Sequence, residues 1–311
     1  MSSKPTSASS SSPVLEVVGL RKSYRNPLTR KKLEALKGIS FKIEPGTITG
    51  FLGANGAGKT TTIKCLLELA FADAGEVVYF GKKGLSNEAK AKIGFLPERP
   101  YFYDYLTGRE FLKFYASISG RVARHELSSR ITQLLERVGL SHAGDRPLRG
   151  YSKGMLQRIG IAQALIHRPE FIILDEPMTG LDPDGRHEVR EIIREVANQG
   201  TAVFFSSHLL PDAETLCEHL VILKKGELIY HGRTDALMNQ MASSWRVVHQ
   251  ARPGGVSEAQ TVADIAEMQT CIDKIRASGG SIVEVGPQRV SLEEIFVKMA
   301  FDKKQSPEAQ P

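Results

Sequence analysis

Eight consecutive residues, Gly53-Ala54-Asn55-Gly56-Ala57-Gly58-Lys59-Thr60, have the spacing G-x-x-x-x-G-K-[ST]. Glycines at these positions let the main chain wrap an oxyanion, so that backbone N–H groups and the start of a following helix point at phosphate. Lys59 then reaches the outer phosphates, Thr60 offers its hydroxyl to Mg²⁺, and Thr61 follows in the same turn. A second run, Phe171-Ile172-Ile173-Leu174-Asp175-Glu176-Pro177, is an apolar strand ending in two carboxylates. Asp175 suits a Mg²⁺ shell, because that ion prefers hard oxygen ligands. Glu176 is placed to accept a proton from an attacking water. Two further elements lie in order around that strand. Tyr151-Ser152-Lys153-Gly154-Met155-Leu156-Gln157-Arg158 precedes it and opens a helix, and Ser206-Ser207-His208 ends the next strand. Alone, Ser152 reads as a helix cap and His208 as a surface histidine. In this order, beside a phosphate loop, they point to nucleoside triphosphate chemistry.

These groups need a scaffold, and the hydrophobic pattern describes one. Short apolar or β-branched runs bounded by Gly or Pro predict strands at 14–20, 39–43, 48–52, 77–80 and 93–96. A helix is expected from Gly58 to about 69. Thr107 and Glu110 have capping-box spacing, and Leu127, Ile131, Leu134, Leu135 and Val138 recur at helical spacing. Residues 103–150 therefore read as a mostly helical insert. Buried strands follow at 171–174 and 202–205, separated by a helix that Asp182-Pro183 opens and that closes near 200. A hairpin turns at Lys225-Gly226. Alternating strands and helices of this kind argue for an α/β core. Composition shifts near 240. Beyond it a strand at 245–249, a helix with Ile265, Met268, Ile272 and Ile275 on one face, a strand at 282–285 and a capping box at Ser291 and Glu294 suggest a small βαβ-type appendage. The expected organisation is a disordered tail at 1–13, an ATPase domain at 14–240, a C-terminal domain at 241–300 and a second tail at 301–311.

The chain has 311 residues, which suggests about two domains. Ordinary hydrophobic and charged content excludes a wholly disordered or collagen-like chain. No run of about 18 apolar residues is present, so any membrane role must be borrowed from a partner. A formal net charge of +6 suits an anionic partner without selecting one. Cys65, Cys217 and Cys271 are far apart, lack metal-ligand spacing and fit a reducing cytosol. Arg25, Arg30, Lys31, Lys32 and Lys37 read as a basic solvated loop, with contact to lipid headgroups or to bound nucleotide as the alternative.

The order of motifs over about residues 15–232 resembles the nucleotide-binding subunit of an ATP-binding cassette (ABC) transporter. That resemblance implies an ABC-type P-loop ATPase core, mixed β with a helical subdomain, carrying a small α+β C-terminal extension. It implies ATP and Mg²⁺ as cofactors and a head-to-tail dimer. Tyr24 matches the aromatic that stacks on adenine. Gly53, Ala54, Asn55, Gly56, Ala57, Gly58, Lys59, Thr60 and Thr61 would hold the phosphates of one ATP. Ser152, Lys153, Gly154 and Met155 would meet the γ-phosphate of the ATP in the opposite subunit, with Asp182 in the D-loop. Thr60, Asp175 and Glu98 would surround Mg²⁺, Glu176 would be the general base, and His208 the switch histidine. Glu98 stands where the family usually has Gln, so its role departs from the pattern. Lys153 and Met155 also depart from the usual signature, and Ser-Lys-Gly-Met is similar to the branch serving multidrug and polysaccharide exporters. The segment Ser291-Leu292-Glu293-Glu294-Ile295-Phe296 resembles the tail of that branch.

The implied function is an ATPase that powers export through a separate membrane permease. It would sit at the cytoplasmic face of the inner membrane as a homodimer, with no specific nucleic acid partner. The competing reading is a soluble ABC-type ATPase acting on nucleic acid or ribosomes. The absence of a long coiled coil between the two phosphate-site motifs argues against a DNA-repair member, and a single cassette against a translation factor. An unrelated phosphate-loop kinase or GTPase would lack the signature and His208 elements.

Overall fold

A computed structural model describes residues 12–25, 30, 32–241, 244–252, 255–287 and 291–301. The tails expected at 1–13 and 301–311 lie outside the described residues, apart from 12, 13 and 301, as do 26–29 and Lys31 of the basic segment. The chain divides into two units, Met1–His231 and Gly232–Pro311. Residues 232–240, expected to close the first domain, thus belong to the second unit.

Two sheets build the first unit. One has the order β2-β1-β4-β5 and comprises β1 (Leu15–Arg25), β2 (Lys32–Ile43), β4 (Ala74–Tyr79) and β5 (Lys82–Lys83), all paired antiparallel. The other has the order β10-β9-β3-β8-β7-β6, from β3 (Ile48–Leu52), β6 (Ile93–Leu96), β7 (Phe171–Leu174), β8 (Ala202–Ser207), β9 (His219–Lys224) and β10 (Glu227–Arg233). Its β9-β3-β8-β7-β6 run is parallel. Every residue of β3, β7 and β8 is buried. Strands covered on both faces are continuously apolar, which is why short unbroken runs marked them in the sequence. The helices are α1 (Lys59–Leu66), α2 (Asn87–Lys90), α3 (Gly108–Ser119), α4 (Leu127–Arg137), α5 (Lys153–Leu165), α6 (Pro183–Asn198) and α7 (Leu210–Leu216).

The two sheets share one core. Phe41 of β2, Phe51 of β3 and Phe204 of β8 pack with ring centroids 4.9–5.9 Å apart, and Ile63 and Leu66 of α1 join the same cluster. Removing a ring from such a site loses its transfer energy and leaves a cavity. Phe204→Ala is therefore expected to lower the unfolding free energy by about 3–5 kcal/mol, measurable by urea denaturation; a change within experimental error would place Phe204 outside the folding core.

The insert between β6 and β7 carries α3 and α4, and α3 has the expected capping box: Thr107 N–H donates to Glu110 Oε2 (2.9 Å) and Glu110 N–H to Thr107 Oγ1 (3.2 Å). The segment read as a basic loop is instead a hairpin arm. β1 and β2 run on until Arg25 pairs with Lys32, Tyr24 with Leu33 and Ser23 with Glu34. Charged, exposed side chains hide strand periodicity there, because neither face is buried.

The second unit contains α8 (Thr234–Met241), β11 (Trp245–Gln250), β12 (Ser257–Val262), α9 (Ile265–Ala277), β13 (Ser281–Pro287) and α10 (Leu292–Phe301). Its sheet has the order β12-β11-β13 with both pairings antiparallel. This corrects the expected βαβ-type arrangement, since β12 intervenes. The sequence Ser257-Glu258-Ala259-Gln260-Thr261-Val262 is exposed along almost its whole length, so it carries no apolar signal. Val247, Met268, Cys271 and Ile275 form the core beneath α9, and Ser291 and Glu294 cap α10 as expected.

Candidate functional site

The phosphate-loop sequence bridges β3 and α1. Gly58 takes φ +114°, and a β-carbon on it would stand 2.8 Å from the Ala35 carbonyl oxygen. Only glycine combines that conformation with that approach. Its carbonyl accepts the first helical bond, from Thr62 N–H (2.9 Å). No side chain caps α1 and no acidic residue lies in its first turn, so its leading N–H groups and dipole are open to an anion. The loop is braced from two sides. Gly226 N–H donates to the Ala57 carbonyl (2.9 Å), and Lys37 N–H donates to the Gly226 carbonyl (2.9 Å), which ties the β9–β10 turn to β2.

Lys59 is buried, and its ammonium donates to the Gly53 carbonyl (2.7 Å) while lying 3.3 Å from Glu176 Oε1. The other Glu176 oxygen accepts from Thr179 Oγ1 (2.9 Å) and lies 2.8 Å from His208 Nδ1. A carboxylate only accepts, so Nδ1 carries the proton of that bond. Glu176 has φ +51°, an uncommon conformation for a side chain of this size. The turn it makes directly after β7 directs its carboxylate toward the phosphate loop. Burial pushes the Glu176 carboxyl up, but the Lys59 charge and the hydrogen bonds from Thr179 and His208 outweigh it and hold the group below the usual glutamate value. It is thus ionised at neutral pH. The Asp175 carboxyl moves the other way. Burial dominates, with the Glu98 and Glu176 charges adding to it, against the hydrogen bond from Ser206 and the Lys59 charge. Ser206 joins the two acids: its hydroxyl donates to Asp175 Oδ1 (2.6 Å) and accepts from Glu176 N–H (2.8 Å).

One cavity of about 870 Å³ gathers most of the expected residues. Tyr24, Ala54, Asn55, Gly56, Gly58, Lys59, Thr60, Thr61, Glu98, Glu176 and His208 all line it. Tyr24 is 41% exposed at its rim, with Lys22 Nζ 5.4 Å from the ring centroid. Gly53, Ala57 and Asp175 do not line it. Ser152, Lys153, Gly154, Met155 and Asp182 do not reach the cavity. Ser152 Oγ caps α5 by accepting from Met155 N–H (3.2 Å), and Asp182 Oδ1 caps α6 through Gly185 N–H (3.0 Å). Lys37 of the basic segment also lines the cavity, and sequence reasoning missed Thr179, Ser206 and Lys225. Ser206 lay in the quoted Ser206-Ser207-His208 run, and Thr179 three residues after Glu176, but neither partner is legible before the strands are set side by side.

The donor set around Thr60, Asp175 and Glu98 is all hard oxygen, which fits Mg²⁺. Among the described residues no three His, Cys, Asp or Glu side chains are grouped to hold a metal. A cation here would therefore complete its shell with phosphate oxygens, arriving with the nucleotide. Its charge would offset the repulsion that Asp175 feels from its two acidic neighbours.

The family profile described as ABC transporter matches residues 36–179. An uncharacterized ABC transporter ATP-binding protein of Synechocystis is 37% identical over 307 residues, covering 93% of this chain and 85% of that protein. The linearmycin resistance ATP-binding protein LnrL of Bacillus subtilis is 34% identical over 254 residues, covering 80% of this chain and 78% of LnrL. A solved structure titled as the ATP-binding subunit of an ABC transporter superposes with a TM-score of 0.67 at 26% identity, over 92% of this chain and 99% of that one.

Proposed function

Because the chain belongs to the ATP-binding subunits of ABC transporters, we propose that it is the motor of an exporter, closing as a homodimer on ATP and reopening after hydrolysis. The observation that carries this is the convergence of Lys59, Thr179 and His208 on Glu176 at the mouth of the phosphate loop. The loop and α1 hold the phosphates through main-chain N–H groups and Lys59. Tyr24 takes the base, since its ring lies on the same cavity wall. Water oxygen attacks the γ-phosphorus, the bond to the bridging oxygen breaks, and the proton passes to Glu176, leaving ADP and phosphate. Asp175, Thr60 and Glu98 would hold Mg²⁺, which supplies charge neutralisation at the phosphate oxygens. His208 orients the Glu176 carboxylate and the reacting water.

Ser152 and Gly154 lie away from this cavity, on the first turn of α5. In a head-to-tail pair that helix N-terminus would face the other subunit's γ-phosphate. ATP then binds the closed state better than the open one and shifts the equilibrium by that difference. The resistance role in the name of LnrL and the Ser-Lys-Gly-Met signature support export as the direction. No helix among the described residues is long and apolar enough to cross a membrane; in this reading the chain works with a membrane permease, peripheral on the cytoplasmic face of the inner membrane. The proposed domains follow the two units, which moves the boundary expected at 240 back to between His231 and Gly232, with the helical subdomain at about 103–150.

An aromatic row marks where a permease would dock. Tyr101 and Tyr105 are 78% and 68% exposed, and both stack edge-on to Tyr103, which also meets Phe114. Exposed aromatics grouped in this way mark contact surfaces. Gentle solubilisation of membranes and purification of the tagged chain should recover a multi-helix membrane protein in near-equal amount. The double variant Tyr101→Ser/Tyr105→Ser should reduce that recovery at least about tenfold, while the isolated ATPase rate stays within about twofold of the parent. Recovery of ribosomes, DNA or nothing in place of a permease would overturn the transporter reading.

A further inference from the structure

The turn between β9 and β10 consists of Lys225 and Gly226, with φ +50° and +81°. Positive φ at both central residues is the hairpin turn that favours Asn-Gly, because asparagine and glycine reach this region at little cost. A lysine at its first position is uncommon. Nothing local offsets that cost, since the Lys225 side chain forms no hydrogen bond or ion pair among the described residues. The turn is nonetheless firmly held. Gly226 is buried, its N–H donates to the Ala57 carbonyl of the phosphate loop (2.9 Å), its carbonyl accepts from Lys37 N–H (2.9 Å), and a β-carbon on it would stand 2.6 Å from the Ala35 carbonyl oxygen. Lys225 therefore starts from a fixed point beside the phosphate loop, and it lines the ATP cavity with Ala35, Lys37 and Gly58.

β2 orders this wall from one end to the other. Leu33 pairs with Tyr24, where the base would stack, Ala35 lies against Gly58, and Lys37 lies against Gly226. Lys59, with Glu176 and His208, marks the side where the outermost phosphate reacts. The other charges of the wall have partners: Lys37 has Glu227 (2.8 Å), Glu34 has Arg21 (3.6 Å), Glu98 has Arg99 (4.0 Å) and Glu176 has Lys59 (3.3 Å). Lys225 is the lysine of the wall without one among the described residues. We propose that Lys225 is a second phosphate-binding lysine of the ATP site, holding the inner (α and β) phosphates while Lys59 holds the outer ones. The uncommon turn conformation is then part of the site. It fixes the root of a long side chain at the cavity wall, so less freedom is lost when nucleotide binds. Strained backbone of this kind persists where its surroundings fix it, and it gathers at binding sites.

The test is calorimetric titration of the full chain with MgATP and with MgADP. Lys225→Asn removes the charge and keeps the turn, since asparagine suits its conformation. The denaturation midpoint of Lys225→Asn should equal or exceed the parental one. ATP and ADP should both bind it about 5- to 10-fold more weakly, a smaller loss than for a buried charge-assisted bond because the ammonium is exposed. Lys225→Arg should restore most of the affinity, and the gap between parent and Lys225→Asn should narrow as salt is raised. Unchanged ATP affinity in Lys225→Asn would overturn the proposal and leave Lys225 a solvated turn residue. So would a loss for ATP alone, which would put the lysine at the γ-phosphate, or a loss that Lys225→Arg does not restore, which would assign the effect to the backbone. Failure of the parent itself to bind ATP would overturn the ATP-site reading on which this proposal rests, and the proposal with it.

Discussion

Glu176→Gln is expected to lower the ATPase rate by roughly 10²–10⁴-fold, the range for loss of a general base, while ATP still binds. The substitution is nearly isosteric, and its consequences follow from the hydrogen bonds around the side chain. The oxygen that accepts from Thr179 and His208 can be kept as the glutamine carbonyl. The amide then faces the Lys59 ammonium, a donor against a donor, so the ion pair at 3.3 Å is lost. Lys59 retains its 2.7 Å bond to the Gly53 carbonyl and stays in the loop. Phosphate contacts therefore survive while the proton acceptor does not, and an ATP-bound closed dimer should accumulate. Size-exclusion chromatography with and without ATP reads the dimer, and phosphate release reads the rate. Parental turnover in Glu176→Gln would remove Glu176 from the base role.

Lys59→Ala acts on affinity. A charge-assisted hydrogen bond contributes about 1.5–3 kcal/mol, so ATP should bind roughly 10- to 150-fold more weakly, as calorimetry would register. A second effect comes from inside the fold. Glu176 loses its buried cationic partner, and breaking such a pair costs about 3–5 kcal/mol of stability. The pH dependence of this loss has a definite sign. In the parent, Glu176 sits below its ordinary value, so its contribution is present above that ordinary value and is lost as pH falls through the depressed one. In the variant the upward push of burial is opposed only by Thr179 and His208. The stability gap between parent and variant should thus be widest at neutral pH and narrow toward about pH 4. Denaturation at several pH values tests this; a gap independent of pH, or unchanged ATP affinity, would contradict the role given to Lys59.

Much of the site was legible in the chain itself because each local signal has a local cause. Gly53 to Thr60 reads as a phosphate loop since glycine spacing and the following helix are set over eight residues. Thr107 with Glu110, Asp182 with Pro183, and Ser291 with Glu294 announce helix starts because a cap needs only its own first turn. Strands β3, β7 and β8 were visible because burial on both faces leaves them continuously apolar. The basic arm of β1 and β2 and the edge strand β12 were not, since exposed strands need no apolar pattern and are held by their neighbours' main chain.

What the sequence determined by itself was the chemistry present and its order: a phosphate loop, then a capped helix, then paired carboxylates, then a histidine. What only the tertiary structure decided was which of these meet. The parallel pairing of β7 with β8 puts Ser206 between Asp175 and Glu176 and brings His208 to the Glu176 carboxylate. The pairing of β3 with β8 sets the phosphate loop beside them, so that Lys59 reaches Glu176. The same structure leaves Ser152 and Asp182 at helix caps, outside the cavity. Charge, burial and hydrogen bonding act over a few ångströms, and residues far apart along the chain come within that range only once the strands pair.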